Sequence, residues 1–222
     1  MQNRADIAGS KAATLAGLRA VLAEKFPQAP VRTGNAFSVA VGSSSSQREI
    51  PLRRGTITEA SGSSGSGALF VEALLGATEN ARTMMALVDG AGGFDPAAED
   101  PRLRRLLWVL CRETQAAIKV ADLLLRDGNL PLVVLDLQMS PATELRRIPS
   151  STWYRFQRLM EQSTAVFVVL TAKPMVNSAA ERLWLRNRWS LRAMRQRRCE
   201  LPLQVEQTQR GFGSISIDRQ IA

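Results

Sequence analysis

The sequence predicts an α/β fold: a mostly parallel sheet flanked by helices, closed at its C-terminal edge by an antiparallel hairpin and preceded by a short N-terminal helix. Three observations carry this. From Gly55 onward, short apolar runs alternate with segments of helical period, the order that builds a sheet layered with crossover helices. Two of the runs, LPLVVLDL (130–137) and TAVFVVLT (164–171), are continuous and rich in valine, which suits strands covered on both faces. Hydrophobic residues make up 45% of the 222, enough for a substantial core.

The elements follow in order. Residues 10–26 place Leu15, Leu18, Val21 and Leu22 at helical spacing behind Ser10 as a cap, and Pro27 and Pro30 end that helix. Residues 33–55 read as poor in periodicity, with a flexible loop at GSSSSQ (42–47). TITEA (56–60) reads as a strand leading to a helix over 67–77, and MMALVDG (84–90) and LRRLLWVLC (103–111) as further strands. ETQAAIKVADLLLRDG (113–128) is a helix with Ala117, Ala121 and Leu124 on one face, stopped by Gly128. SSTWYRFQRLMEQS (150–163) is a helix capped by Ser150 or Ser151, with Trp153 and Tyr154 as packing residues. In LWLRNRWSLRAM (183–194), Leu183, Leu185, Trp189, Leu191 and Ala193 share one parity, and Trp184 and the arginines share the other. That is a half-buried strand with a basic outer face. LPLQVEQ (201–207) repeats the alternation, so 183–207 forms a basic hairpin at the sheet edge. The organisation is then an N-terminal helix (1–30), a core (31–210) and a tail (211–222) without pattern.

Composition removes several classes of chemistry. The chain has no histidine, which excludes Ser-His-Asp and Cys-His catalysis and His-based metal sites. Two cysteines, Cys111 and Cys199, are too few for a cysteine-only zinc site, and Cys111 in LLWVLC reads as a buried, inert thiol. No run approaches 18 apolar residues, so no membrane partner is expected. The N-terminus lacks a signal-peptide core, which makes a cytoplasmic location the default. The formal net charge is +9, and 25 of the 29 basic residues are arginine. Such a balance favours nucleic acid or acidic protein surfaces; a GC-rich coding bias is the lesser alternative for arginine over lysine and does not explain the excess of bases over acids.

Three motifs bear on chemistry. ITEASGSSGSGALFVEALL (57–75) has the layout of a strand, phosphate-binding loop and helix. A working loop of this kind needs G-x-x-x-x-G-K-[ST], the lysine for the β/γ oxygens and the hydroxyl for magnesium. Here Gly65 serves as the last glycine, Ser66 stands in the lysine position, Gly67 in the hydroxyl position, and Ala60 in that of the first glycine. The amides of Gly62 to Gly67 keep the means to cup an anion, but a turn whose chemistry has gone is the favoured reading. Asp136 is placed as the strand-end acid that orients magnesium in such sites; more often such a residue caps its own turn. LVDGAGGFDP (87–96) is a Gly-rich turn after a strand, a weak signal alone. Seven arginines, Arg182, Arg186, Arg188, Arg192, Arg195, Arg197 and Arg198, run without an acid among them, and Arg146 and Arg147 add a smaller patch. They read as a phosphate-tracking surface with Trp184 stacking, as a dock for an acidic partner, or as a solvated edge guarded against aggregation.

In this order the motifs resemble the RecA family of strand-exchange ATPases, from about Val31 to Arg210. RTG (32–34) resembles the family's lead into its core, IPLRRGTITEASGSSGSG its strand and phosphate loop, and MALVDGAGGFDP its strand bearing the catalytic glutamate. RLLWVLCRETQAAIKVADLLLRDGNLPLVVLDL, with Gln115 opening the helix, resembles the next strand, helix and Walker-B strand. The departures are chemical: Ala91 stands in place of the glutamate, and Ser66 and Gly67 in place of the lysine and threonine. The chain is most similar to the short inactive members, the ImuA/SulA-like group, and within it to ImuA, through LRAVLAEKFP and the run from Leu106 to Gly128. That resemblance implies a RecA-like core without enzymatic activity or cofactor. It implies an accessory of DNA-damage-induced (SOS) mutagenesis and translesion synthesis. The expected partners are a RecA-type recombinase, a Y-family-like polymerase homologue and an error-prone polymerase, with DNA as a further partner. A SulA-like inhibitor of cell division and a plain basic DNA-binding module are the alternatives.

Overall fold

A computed structural model of the chain describes residues 36–43, 46–95, 100–187, 195 and 201–209. The expected N-terminal helix and C-terminal tail lie outside these residues, as do Arg188, Arg192, Arg197, Arg198, Trp189 and Cys199. The elements run β1 (Ala36–Ser43), β2 (Ser46–Arg53), β3 (Ile57–Gly62), α1 (Ser64–Ala81), β4 (Met85–Asp89), a 3-10 turn (Pro101–Arg105), β5 (Leu106–Leu110), α2 (Thr114–Asp127), β6 (Leu132–Asp136), α3 (Ala142–Leu145), α4 (Ser150–Glu161), β7 (Val166–Thr171), β8 (Glu181–Leu185) and β9 (Val205–Gln209).

Seven strands form one sheet in the order β5-β4-β6-β7-β3-β8-β9. All neighbours are parallel except β8 and β9, which pair antiparallel at the edge with Leu185 opposite Val205. This is the expected fold: a mostly parallel α/β sheet flanked by helices and closed by an antiparallel pair. Each parallel strand buries side chains on both faces, so its sequence shows a continuous apolar run rather than alternation. On one face Ala86, Val88, Val133, Leu135, Phe167 and Val169 pack with α2 and α4, including Trp153 and Phe156. On the other, Met85, Leu87, Val134, Val168 and Leu170 pack with α1 and with β1 and β2.

Some boundaries differ from the sequence reading. Residues 36–43 and 46–53 pair as antiparallel strands rather than lying in an irregular stretch. Phe37, Val39 and Val41 on β1, and Ile50 and Leu52 on β2, are buried while Ser38, Ala40 and Glu49 are exposed. This is period-two alternation that the serine run obscured. α1 begins three residues earlier than expected and runs four residues further. Its end is a left-handed Arg82 (φ 49°) whose N–H closes on Glu79 and Thr78 carbonyls. Residues 101–105 coil into a 3-10 turn before β5, because Pro101 cannot donate to a ladder and Asp100 caps the Arg102 amide. α4 starts after Pro149 with no serine cap, and Tyr154 is exposed rather than packed. β8 runs from Glu181 to Leu185; residues 188–194 of the strand expected over 183–194 lie outside the described residues. α2 ends as expected at Gly128, left-handed at φ 72°, with its N–H on the Leu124 carbonyl.

Candidate functional site

The first two turns of α1, the loop after β4 and the end of β6 line an open cavity of about 330 Å³, formed by Gly65, Ala68, Val71, Gly92, Gly93, Phe94, Asp136, Gln138 and Met139. At its floor the chain passes from β3 to α1 with a single residue, Ser63, between strand and helix. Residues 60–62 stay extended because they pair with Leu183 to Leu185 of β8. Gly62 lies so close to that strand that a Cβ there would stand 2.7 Å from both the Leu185 Cβ and its carbonyl oxygen. Gly67 already donates its N–H to Ser63 within the helix (3.1 Å). Ser66 is buried, its hydroxyl 3.0 Å from that of Ser63. The side chain of Gln138 lies across this turn. Its amide nitrogen donates to the carbonyls of Gly62 (3.1 Å) and Ser63 (3.4 Å), and a Cβ at Gly67 would overlap its carbonyl oxygen.

Beside this turn, Asp89 and Asp136 end adjacent strands in direct register. Asp89 is almost fully buried and gathers the loop that follows it. Its Oδ1 accepts from the amides of Ala91 (3.3 Å), Gly92 (2.8 Å) and Gly93 (3.0 Å), and its Oδ2 from Phe94 N (3.1 Å) and Trp108 Nε1 (3.4 Å). The left-handed conformation of Gly92, φ 72°, lets the chain curl around the carboxylate. Phe94 and Trp108 seal the turn edge to face, 5.4 Å between centroids. Asp136 Oδ1 accepts the Gln138 amide (2.9 Å), closing its own turn. Among the described residues, no donor meets its Oδ2. Burial pushes the Asp136 carboxyl up to about 6; the Gln138 amide opposes the rise and the charge of Asp89 adds to it. Burial, with Asp89 contributing, also raises the nearby Cys111 thiol.

The resemblance of the motifs implies Mg·ATP at this place, and the residues here do not fit it. Cradling phosphates takes several convergent amides, a lysine and a magnesium-binding hydroxyl. In their place stand a one-residue turn, the Gln138 carboxamide, a buried Ser66 and a wall whose charged group is a carboxylate. Ala91, where the family has its glutamate, is exposed and without a carboxyl. Among the described residues no group of three or more His, Cys, Asp or Glu is placed to hold a metal ion.

The chain is similar in structure to a RadB recombinase. The similarity spans 60% of this chain and 76% of that one, at 17% identity and a TM-score of 0.48. No protein-family model matches the sequence, and no curated protein matches it either.

The arginines separate into different environments. Arg182 is not part of an exposed basic face: its Nε donates to Glu59 Oε2 (3.0 Å) and its guanidinium also reaches the Val176 carbonyl (3.0 Å). Glu59, fully buried on β3, also accepts at Oε1 from the Met175 and Val176 amides and the Thr171 hydroxyl. The pair thus fixes the segment after β7. Arg186 is exposed, but it pairs with Glu206 of β9 (3.0 Å) and lies 5.1 Å over the Trp184 ring. The acid that compensates it comes from the neighbouring strand, which a scan along 182–198 does not show. Arg195, Arg146 and Arg147 are exposed. The last two follow α3, which is tied to α2 by Glu144 accepting the Thr114 amide (3.0 Å). Asp89 and Gln138 carry most of the geometry here. The motif DGAGGF held the signal for Asp89, an acid followed by residues small enough to wrap it; nothing local marked Gln138.

Proposed function

We propose that this chain is a non-catalytic RecA-like accessory protein of DNA-damage-induced mutagenesis and translesion synthesis. In this reading it is an adaptor that joins a RecA-type recombinase to a Y-family-like polymerase homologue and an error-prone polymerase. One observation carries the proposal: the turn from β3 to α1 is closed by Gln138 where a nucleotide's phosphates would lie. The order of motifs resembles that of a strand-exchange ATPase, while Ser66, Gly67 and Ala91 stand where the lysine, the threonine and the glutamate would be. A scaffold of this kind offers shape and charge, and its work is done by contact.

The test has two arms. The full chain, purified and supplied with Mg·ATP, is expected to show no hydrolysis above background with or without single-stranded DNA. Captured by a tag from damaged cells of its own host after nuclease treatment, it is expected to bring down the recombinase and the polymerase partner. DNA-stimulated hydrolysis overturns the non-catalytic reading. Capture of the division protein alone overturns the mutagenesis reading. Exposed Arg112, Arg146, Arg147 and Lys173 in the segments that follow β5, β6 and β7 favour a second reading, direct contact with DNA.

A further inference from the structure

We infer that the cavity beside Asp136 binds a protonated alkyl nitrogen, a guanidinium or ammonium on an apolar stem. The inference rests on the reading of this place as one that no longer holds a nucleotide. It deepens that reading by naming what the cavity takes instead.

The walls decide the chemistry. Ala68, Val71, Phe94 and Met139 offer apolar surface, and Asp136 supplies the charge. The volume, about 330 Å³, lies at the small end of ligand pockets. The first-turn amides of α1 carry no side-chain cap, but the other donors around the cavity are committed. The amides of residues 91–94 are spent on Asp89, and the Gln138 amide nitrogen on backbone carbonyls. Arg102, the base that packs against α1, is held by Glu72 and Asp100. The start of α1 at Ser64 brings about half a positive charge, which the two carboxylates Asp89 and Asp136 outweigh. Asp136 is only 9% exposed, and its Oδ2 turns toward the cavity wall, 4.0 Å from where a Cβ on Gly93 would stand. A carboxylate oxygen that lines an open cavity and meets no protein donor among the described residues favours a charged donor. An apolar approach to it calls for an alkyl stem. The charged neighbour facing Asp136 is Asp89 on β4; β7 presents no charged residue to it, and Gln138 faces it from its own turn.

The test titrates the full chain at pH 7.5 with three probes: N-acetyl-arginine amide, an acetylated heptapeptide with one central arginine, and ATP with inorganic phosphate as the anion control. The readout is the amide signals of Gly92, Gly93, Gln138 and Met139. Both cationic probes are expected to shift these signals and the anions are not. Asp136→Asn, which keeps an acceptor for the Gln138 amide, should weaken the cationic probes tenfold or more. Gly93→Ala adds a methyl 3.2 Å from Met139 Cγ and should weaken them as well. With Asp136 titrating at about 6, lowering the pH from 7.5 to 5 should weaken binding about tenfold, the fraction of carboxylate lost over that interval. A peptide at least tenfold tighter than the free amide assigns the cation to a partner protein; equal affinities assign it to a small molecule. No shift from either cation at millimolar concentration, or shifts unaltered by Asp136→Asn, overturns this inference alone. Shifts from ATP at these four residues overturn both it and the function proposed above.

Discussion

Asp136 costs the fold stability at neutral pH. Burial raises its carboxyl from the ordinary 3.8 to about 6 in the folded chain, so the folded state holds the proton more tightly than the unfolded one. Stability contributed by that proton is full below the unfolded value and is lost as the pH rises through 6. The shift corresponds to about 2–3 kcal/mol at pH 7.5. Asp136→Asn is therefore expected to raise the melting temperature at pH 7.5 by several degrees, a gain that shrinks through pH 6 and vanishes near pH 4; thermal melts across that range check it. A variant no more stable at pH 7.5 than at pH 4, relative to the parent, would remove burial as the cause. Asp136 was legible in the sequence as an acid ending an apolar run. Gln138 was not, because its role depends on a turn some 75 residues earlier that only folding brings under it. Gly62 and Gly67 read in the sequence as parts of a turn whose phosphate chemistry has gone. In the structure both are places where another chain segment leaves no room for a Cβ, a constraint set by tertiary contact rather than by local pattern.

Glu59 and Arg182 bind elements rather than ligands. Removing one member of a buried ion pair leaves the other uncompensated, which costs about 3–5 kcal/mol. Glu59→Ala should destabilise by about that much, and Glu59→Ala with Arg182→Ala by less than the sum of the two single changes; a denaturant double-mutant cycle measures the coupling. Additive effects would mean that the two side chains do not act as a unit. A loss of partner binding on replacing Arg182 would therefore report a loosened segment after β7. The parallel strands were readable because burial on both faces leaves an unbroken apolar run, as in β6 and β7. The β1–β2 hairpin was missed because its alternation is short and interrupted by small polar residues, so composition outweighed period. Its burial against α1 closes one face of the sheet, and Leu52→Ala would open that face.

At the scale of the molecule, the sheet's C-terminal end sets acids within and bases around. Asp89 and Asp136 lie inside, while Arg112, Arg146, Arg147 and Lys173 stand exposed in the following segments. The net charge of +9 was legible from composition; its division into an inner and an outer zone was not, since that division follows from strand order. Replacing Arg146 and Arg147 together by glutamate should change folding stability by less than about 0.5 kcal/mol for each surface site. If these residues contact phosphates, the same variant should bind single-stranded DNA more weakly and with a shallower dependence on salt. Binding measured from 50 to 200 mM salt decides, and an unchanged slope would place the DNA contact elsewhere.

The loop that closes around Asp89 has a consequence for how the molecule behaves over time. It is complete as soon as the chain folds, because the group that orders it belongs to the chain. No incoming charge has to arrive to set it and none has to leave to release it. At that point there is no loaded and unloaded form to alternate between. What meets this end of the sheet meets one fixed outline, a signpost rather than a switch.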